Sequence, residues 1–86
     1  MAMPQNPVVL SVQQIDDLNR KLAKMRHDIN NHMTVLITAA EMVRYKPESA
    51  AELMTTLLGQ PPKITGCMKT FTTEFEQAFG ITRPPA

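Results

Sequence analysis

The chain has 86 residues, nine basic and eight acidic side chains, a formal charge of +1 and no run of either sign. It is therefore one domain at most, without the basic track that a nucleic acid or an anionic membrane attracts, and neither is expected as a partner. A chain this short buries little of its own surface and usually needs a cross-link, a metal or a second chain to complete its core.

Residues 1–10 contain Pro4 and Pro7 and no periodicity, which reads as a flexible tail. They also lack the basic start and apolar core of a secretory leader, so a cytoplasmic location is expected. Ser11 then carries three helix-start signals. Its hydroxyl can accept from the Gln14 N–H, the Gln14 side chain can reach back, and Leu10 can staple onto Ile15.

From there apolar residues recur at alternating steps of three and four: Ile15, Leu18, Leu22, Met25 and Ile29, then His32, Leu36, Ala39 and Val43. This is a heptad seam broken by one histidine, and it predicts a first helix over about residues 12–45, a rod of roughly 50 Å. Its most apolar stretch, residues 34–43, is interrupted by Glu41 and falls far short of the roughly 20 residues of a membrane span. Met33, Ile37 and Ala40 widen the stripe beyond a two-stranded seam and favour a bundle of more than two helices.

Pro47 punctuates the chain, and Ser49 with Glu52 forms a second candidate capping box. Ala50, Met54, Leu57, Pro61, Ile64, Met68, Phe71, Phe75 and Ala78 then resume the same alternation, which predicts a second helix over about residues 49–79. Residues 59–62 (Gly-Gln-Pro-Pro) mark a break or a kink, and because the spacing keeps its phase through them the kinked, continuous helix is the preferred reading. Gly80 is a candidate left-handed cap, and residues 81–86 read as a second tail.

The lone Cys67 cannot close an intrachain disulfide, and two histidines with it are too few for a structural metal site. A free thiol fits the cytoplasm, and beside the seam it reads as a small buried apolar group. The missing burial is expected from another copy. Residues 11–80 are thus expected to be all-α, an antiparallel two-helix hairpin that forms a homodimeric four-helix bundle with its two-fold axis near the bundle axis.

With Met25 at d and Ile29 at a, His27 falls at f, the outermost heptad position. Asp28 follows it, and Asn31 lies one turn on, so an imidazole, a carboxylate and an amide gather on the outside of the bundle. Such a set suits phosphoryl transfer: a neutral exposed imidazole attacks phosphorus in line, Asp28 takes or steadies the proton of the other ring nitrogen, and Asn31 orients a water or the phosphoryl group. Lys24, one turn before, can offset phosphate charge. His32, at d, is expected instead to be a core histidine held by a hydrogen bond, and the methionines to be core fill.

The segment His27-Asp28-Ile29-Asn30-Asn31 resembles the H-box of sensor histidine kinases, in the dimerisation and phosphoacceptor domains that read His-Asp-x-x-Asn. The resemblance covers roughly residues 11–79 and is sharp over five of them. It implies a dimerising helical hairpin in which His27 is phosphorylated, Asp28 assists and Asn31 positions the water of dephosphorylation. It also implies a response-regulator receiver domain as partner, with Mg2+ on the receiver and no cofactor or metal on this chain.

His32 and Pro61-Pro62 depart from the family's usual pattern, and no nucleotide-binding motif occurs in these residues, so self-phosphorylation is not expected. A phosphotransfer module is the leading expectation. The alternatives are a dimeric adaptor or inhibitor that binds receivers or a histidine kinase without being phosphorylated, and a receiver phosphatase resting on Asn31. A complete small protein and a piece of a larger kinase would both read this way.

Overall fold

A computed structural model describes residues 2–82 of the chain. Helix α1 (Val12–Tyr45) and helix α2 (Ala50–Phe79) are joined through a 3-10 turn (Pro47–Ser49) and pack against each other in antiparallel fashion. Among the described residues there is no strand. An isolated bridge ties Ala2 to Thr82, with Ala2 N–H donating to the Thr82 carbonyl at 2.7 Å and Thr82 N–H to the Ala2 carbonyl at 2.9 Å. The start of the N-terminal segment therefore sits beside the foot of α2, while residues 83–86 of the second expected tail lie outside the described residues.

Local chemistry sets the helix ends. The Ser11 hydroxyl accepts from Gln14 N–H at 3.1 Å and the Gln14 side chain accepts from Ser11 N–H at 2.8 Å, which satisfies two N–H groups that would otherwise lack partners. At the other end of α1, Lys46 N–H donates to the Met42 carbonyl at 2.7 Å, and Pro47 excludes Lys46 from helical geometry. The expected capping box at Ser49 does not form. Pro47 starts a 3-10 turn in which Ser49 N–H donates to the Lys46 carbonyl, so Ser49 is already coiled (φ −101°, ψ 11°) rather than extended as a side-chain cap needs. Helix α2 closes on Gly80 at φ +66°, where Ile81 N–H donates back to the Glu76 carbonyl at 2.8 Å.

Helix α2 runs without interruption through Pro61 and Pro62. Neither proline supplies an N–H, so the Leu57 and Leu58 carbonyls lose their intrahelical donors. Both rings are exposed, which places the weakened side of the helix away from α1.

The seam between the helices differs from the expected one in α2. On α1 the residues turned inward are Leu18, Leu22, Met25, Ile29, His32, Leu36, Ala39 and Val43, while Ile15 at the open end is 54% exposed. On α2, Ala50, Leu57, Ile64, Phe71 and Ala78 face α1 as the spacing predicts. The alternate positions, however, are Leu53, Gln60, Cys67 and Glu74, one residue before the expected Met54, Pro61, Met68 and Phe75, which are exposed. Cys67 thus lies on the seam itself rather than beside it and, like its apolar neighbours there, is half-buried.

Two polar pairs cross this seam. Gln60, 5% exposed, uses its amide N–H to donate to the Thr56 carbonyl at 3.1 Å, leaving Oε1 to accept from His32 Nδ1 at 3.1 Å. Lys21 donates to Glu74 at 2.8 Å. Truncating one member of the buried pair strands the other, so His32→Leu is expected to lower stability by about 1–3 kcal/mol, while His32→Leu with Gln60→Leu recovers most of the loss. Urea denaturation of the single and double variants measures both, and equal losses in the two would show that the bond contributes nothing.

Candidate functional site

Helix α1 carries every side chain of the sequence-derived site. With a and d facing α2, position f points straight out, and His27 is exposed. Its Nε2 lies 3.3 Å from Asn31 Nδ2, one helical turn on. In that arrangement the amide N–H donates to the ring nitrogen, so Nε2 holds the lone pair and the neutral ring carries its hydrogen on Nδ1. The structure thus brings Asn31 to His27 directly, at Nε2.

Asp28 is placed differently from the role expected for it. It sits at heptad g, beside the seam, with its side chain 31% exposed, and it accepts a hydrogen bond from Lys24, not from the imidazole. The reason is helical geometry: residues 24 and 28 are i and i+4 on one face, whereas adjacent residues diverge by about 100°. Hydrogen bonding to the Lys24 ammonium is the largest cause that holds the Asp28 carboxyl below its ordinary range, opposed by partial desolvation and aided by the charge of Lys24 and of the nearby histidines. The same bond raises Lys24. Asp28 is thereby a weaker base than a free carboxylate, and it acts on His27 through charge rather than contact.

Beneath the site a groove of about 620 Å³ runs between the helices. Its walls include Lys21, Lys24 and Asp28 from α1 and Lys63, Cys67 and Glu74 from α2, with Met25 and Phe71 at its base. His32 also reaches it, from the inner side. Lys21 bridges the groove, bonded to Asp17 and to Glu74 at 2.8 Å each, and these bonds raise its pKa, that with Asp17 first. Sequence reasoning missed Lys63 and the α2 wall because it set α2 one residue out of phase. The Lys24 to Asp28 pairing was available from i,i+4 spacing alone.

Among the described residues, no group of three His, Cys, Asp or Glu side chains is arranged to hold a metal ion, and no helix is long and apolar enough to cross a membrane. Comparison with protein-family models, with curated proteins and with solved structures gave no match to this chain.

The Lys24 bond gives Asp28 a definite pH dependence. A carboxyl whose folded pKa is depressed stabilises the fold in full above its unfolded pKa of about 3.9, and the contribution is lost as pH falls through the lower folded value. In Lys24→Met, Asp28 is expected to titrate at higher pH than in the parent, with the acid limb of the stability profile moving up in step. Carboxyl NMR titration of both proteins measures the shift, and an unchanged Asp28 would refute the assignment.

Proposed function

We propose that this chain is a phosphotransfer module of two-component signalling, which carries a phosphoryl group on His27 and exchanges it with the aspartate of a response-regulator receiver domain. The observation that carries the reading is an exposed imidazole whose Nε2 lies 3.3 Å from the Asn31 amide nitrogen, with a Lys24–Asp28 pair beside it. The His-Asp-x-x-Asn resemblance supports it independently. In this reading the protein works in the cytoplasm as a homodimeric four-helix bundle, and Mg2+ arrives on the receiver.

The chemistry follows from the positions of these groups. Attack at phosphorus requires the Nε2 lone pair, so the Asn31 side chain swings off the nitrogen as the receiver docks. The ring remains neutral before attack and becomes cationic as the N–P bond forms and the aspartyl oxygen leaves. Partly buried Asp28, one residue away, stabilises that cation electrostatically and does not remove a proton. Once the phosphoryl group is on Nε2, the released amide can donate to one of its oxygens, and Lys24 offsets the added negative charge.

A second reading, a dimeric adaptor or inhibitor that binds receivers or a kinase without being phosphorylated, is favoured by one detail. Both polar neighbours of the imidazole already have partners, Asp28 in Lys24 and Asn31 in His27 itself.

Mixing the chain with receivers carrying labelled aspartyl phosphate separates the two. Acid-labile label is expected on the chain, falling by about 100-fold or more in His27→Gln, which keeps an exposed polar side chain but no nucleophilic nitrogen. Asn31→Ala is expected to leave the label on the protein and to slow its hydrolysis or return. An unlabelled parent that still binds receivers establishes the adaptor reading instead.

A further inference from the structure

The hairpin has two unlike sides, and the heptad positions separate them. The groove side is formed by g and c positions and is lined by lysines and acids. The opposite side is formed by e and b positions. Along α2 that side runs from Ala51 to Phe79 without an ionisable residue, and Met54, Leu58, Met68 and Phe75 are 44%, 64%, 53% and 40% exposed on it. In an antiparallel pair e flanks e, so α1 adds Met33 and Ile37, 44% and 52% exposed, to the same surface, with Asp16, Arg26 and Arg44 spaced along its α1 half.

Two magnitudes say what covers it. The chain exposes 6778 Å², whereas a compact monomer of 9.6 kDa exposes about 5,100 Å², an excess of about 1,700 Å². A stable association removes roughly 800 Å² or more from each partner, so the excess is ample for a dimer. The interior is correspondingly poor: Ala39 is the only buried apolar residue among those described. The 18.2 Å radius of gyration, against about 12 Å for a compact chain of this length, has the same cause. A deficit of core and a surplus of apolar surface concentrated on the α2 stripe point to an identical surface as occupant, since a two-fold interface requires self-complementarity and the α2 stripe, which carries no ionisable residue, meets itself without repulsion.

The geometry points to the e and b side of the hairpin, and not the groove side, as the surface on which two copies of this chain associate, which leaves His27 and the groove open on the outer flank of each copy. This rests on the homodimeric part of the proposed function and makes no use of its phosphoryl chemistry. Failure of phosphate transfer would not touch it, and a monomer that accepts phosphate would overturn it alone.

Sedimentation equilibrium of the full chain is expected to give a dimer. Met68→Glu places a carboxylate in the stripe and is expected to weaken association by about 100-fold, whereas Thr70→Glu, two residues on but lining the groove, leaves it unchanged. If Met68→Glu fails to fold, oxidative footprinting of the parent decides the matter. Met33, Met54 and Met68 are expected to be protected at concentrations where the chain is associated and to react on dilution, with exposed Met3 reactive throughout. A monomeric parent, an oligomer in which Met54 and Met68 oxidise as fast as Met3, or dissociation by Thr70→Glu would each overturn the assignment.

Discussion

The rotational setting of α2 against α1 is the constraint on which the rest of the molecule depends. Helix α2 contains two overlapping seams that share Ala50, Leu57, Ile64, Phe71 and Ala78. One is completed by Leu53, Gln60, Cys67 and Glu74, the other by Met54, Pro61, Met68 and Phe75. Hydrophobicity alone favours the second, yet the hairpin is built on the first. Two polar residues of α1 account for this: His32 and Lys21 lie on or beside its seam, and each meets an α2 partner only in the observed setting, His32 in Gln60 and Lys21 in Glu74. A rotation that brought Met54, Pro61, Met68 and Phe75 inward would leave the half-buried His32 imidazole without its Gln60 partner. Polar pairs of this kind add little net stability and act mainly by specifying register.

This explains which parts of the molecule could be read from the sequence. The start of α1 was legible because the Ser11 and Gln14 cap involves four residues and no tertiary partner. The exposure of His27 was legible because α1 carries one unambiguous seam, which fixes f by simple count. The Gly80 cap was legible for the same local reason. The phase of α2 was not, because both seams satisfy the same alternation of three and four, and the choice is made by residues about 30 to 50 positions away in α1. Pro61 and Pro62 supplied a further hint that was missed: bulky rings that free two carbonyls are poorly placed in the close seam between two helices, which turns the neighbouring Gln60 inward.

Asp28 shows how adjacency in sequence misleads within a helix. A His-Asp dipeptide suggests contact, but consecutive side chains diverge, and the carboxylate finds its ammonium a turn earlier at Lys24. The residue that does touch the imidazole is Asn31, a turn later. The groups around His27 are thus set by the four-residue repeat of the helix, with Lys24 to Asp28 and His27 to Asn31 as two parallel rungs. Such rungs need no tertiary structure to form, so the site is as rigid as α1 itself and survives small changes in how α2 packs.

That independence gives the two sides of the hairpin separate tasks. The charged side holds the imidazole, its amide and a groove bridged by Lys21, which the proposed chemistry requires to stay open to water and to a receiver. The α2 stripe on the other side carries no ionisable residue and offers methionine, leucine and phenylalanine, which gain by leaving water. If the apolar seam of α2 had been used within the hairpin, the single chain would have had the better core, and the outward side would have presented Gln60, Cys67 and Glu74, with little reason for a second copy to cover it. Placing the polar seam inside leaves the lone hairpin with a poor core, and in the proposed dimer the apolar residues left outside would supply the missing burial. Because His27 lies at f, away from the stripe, the proposed assembly would leave exposed the nitrogen on which the proposed chemistry depends.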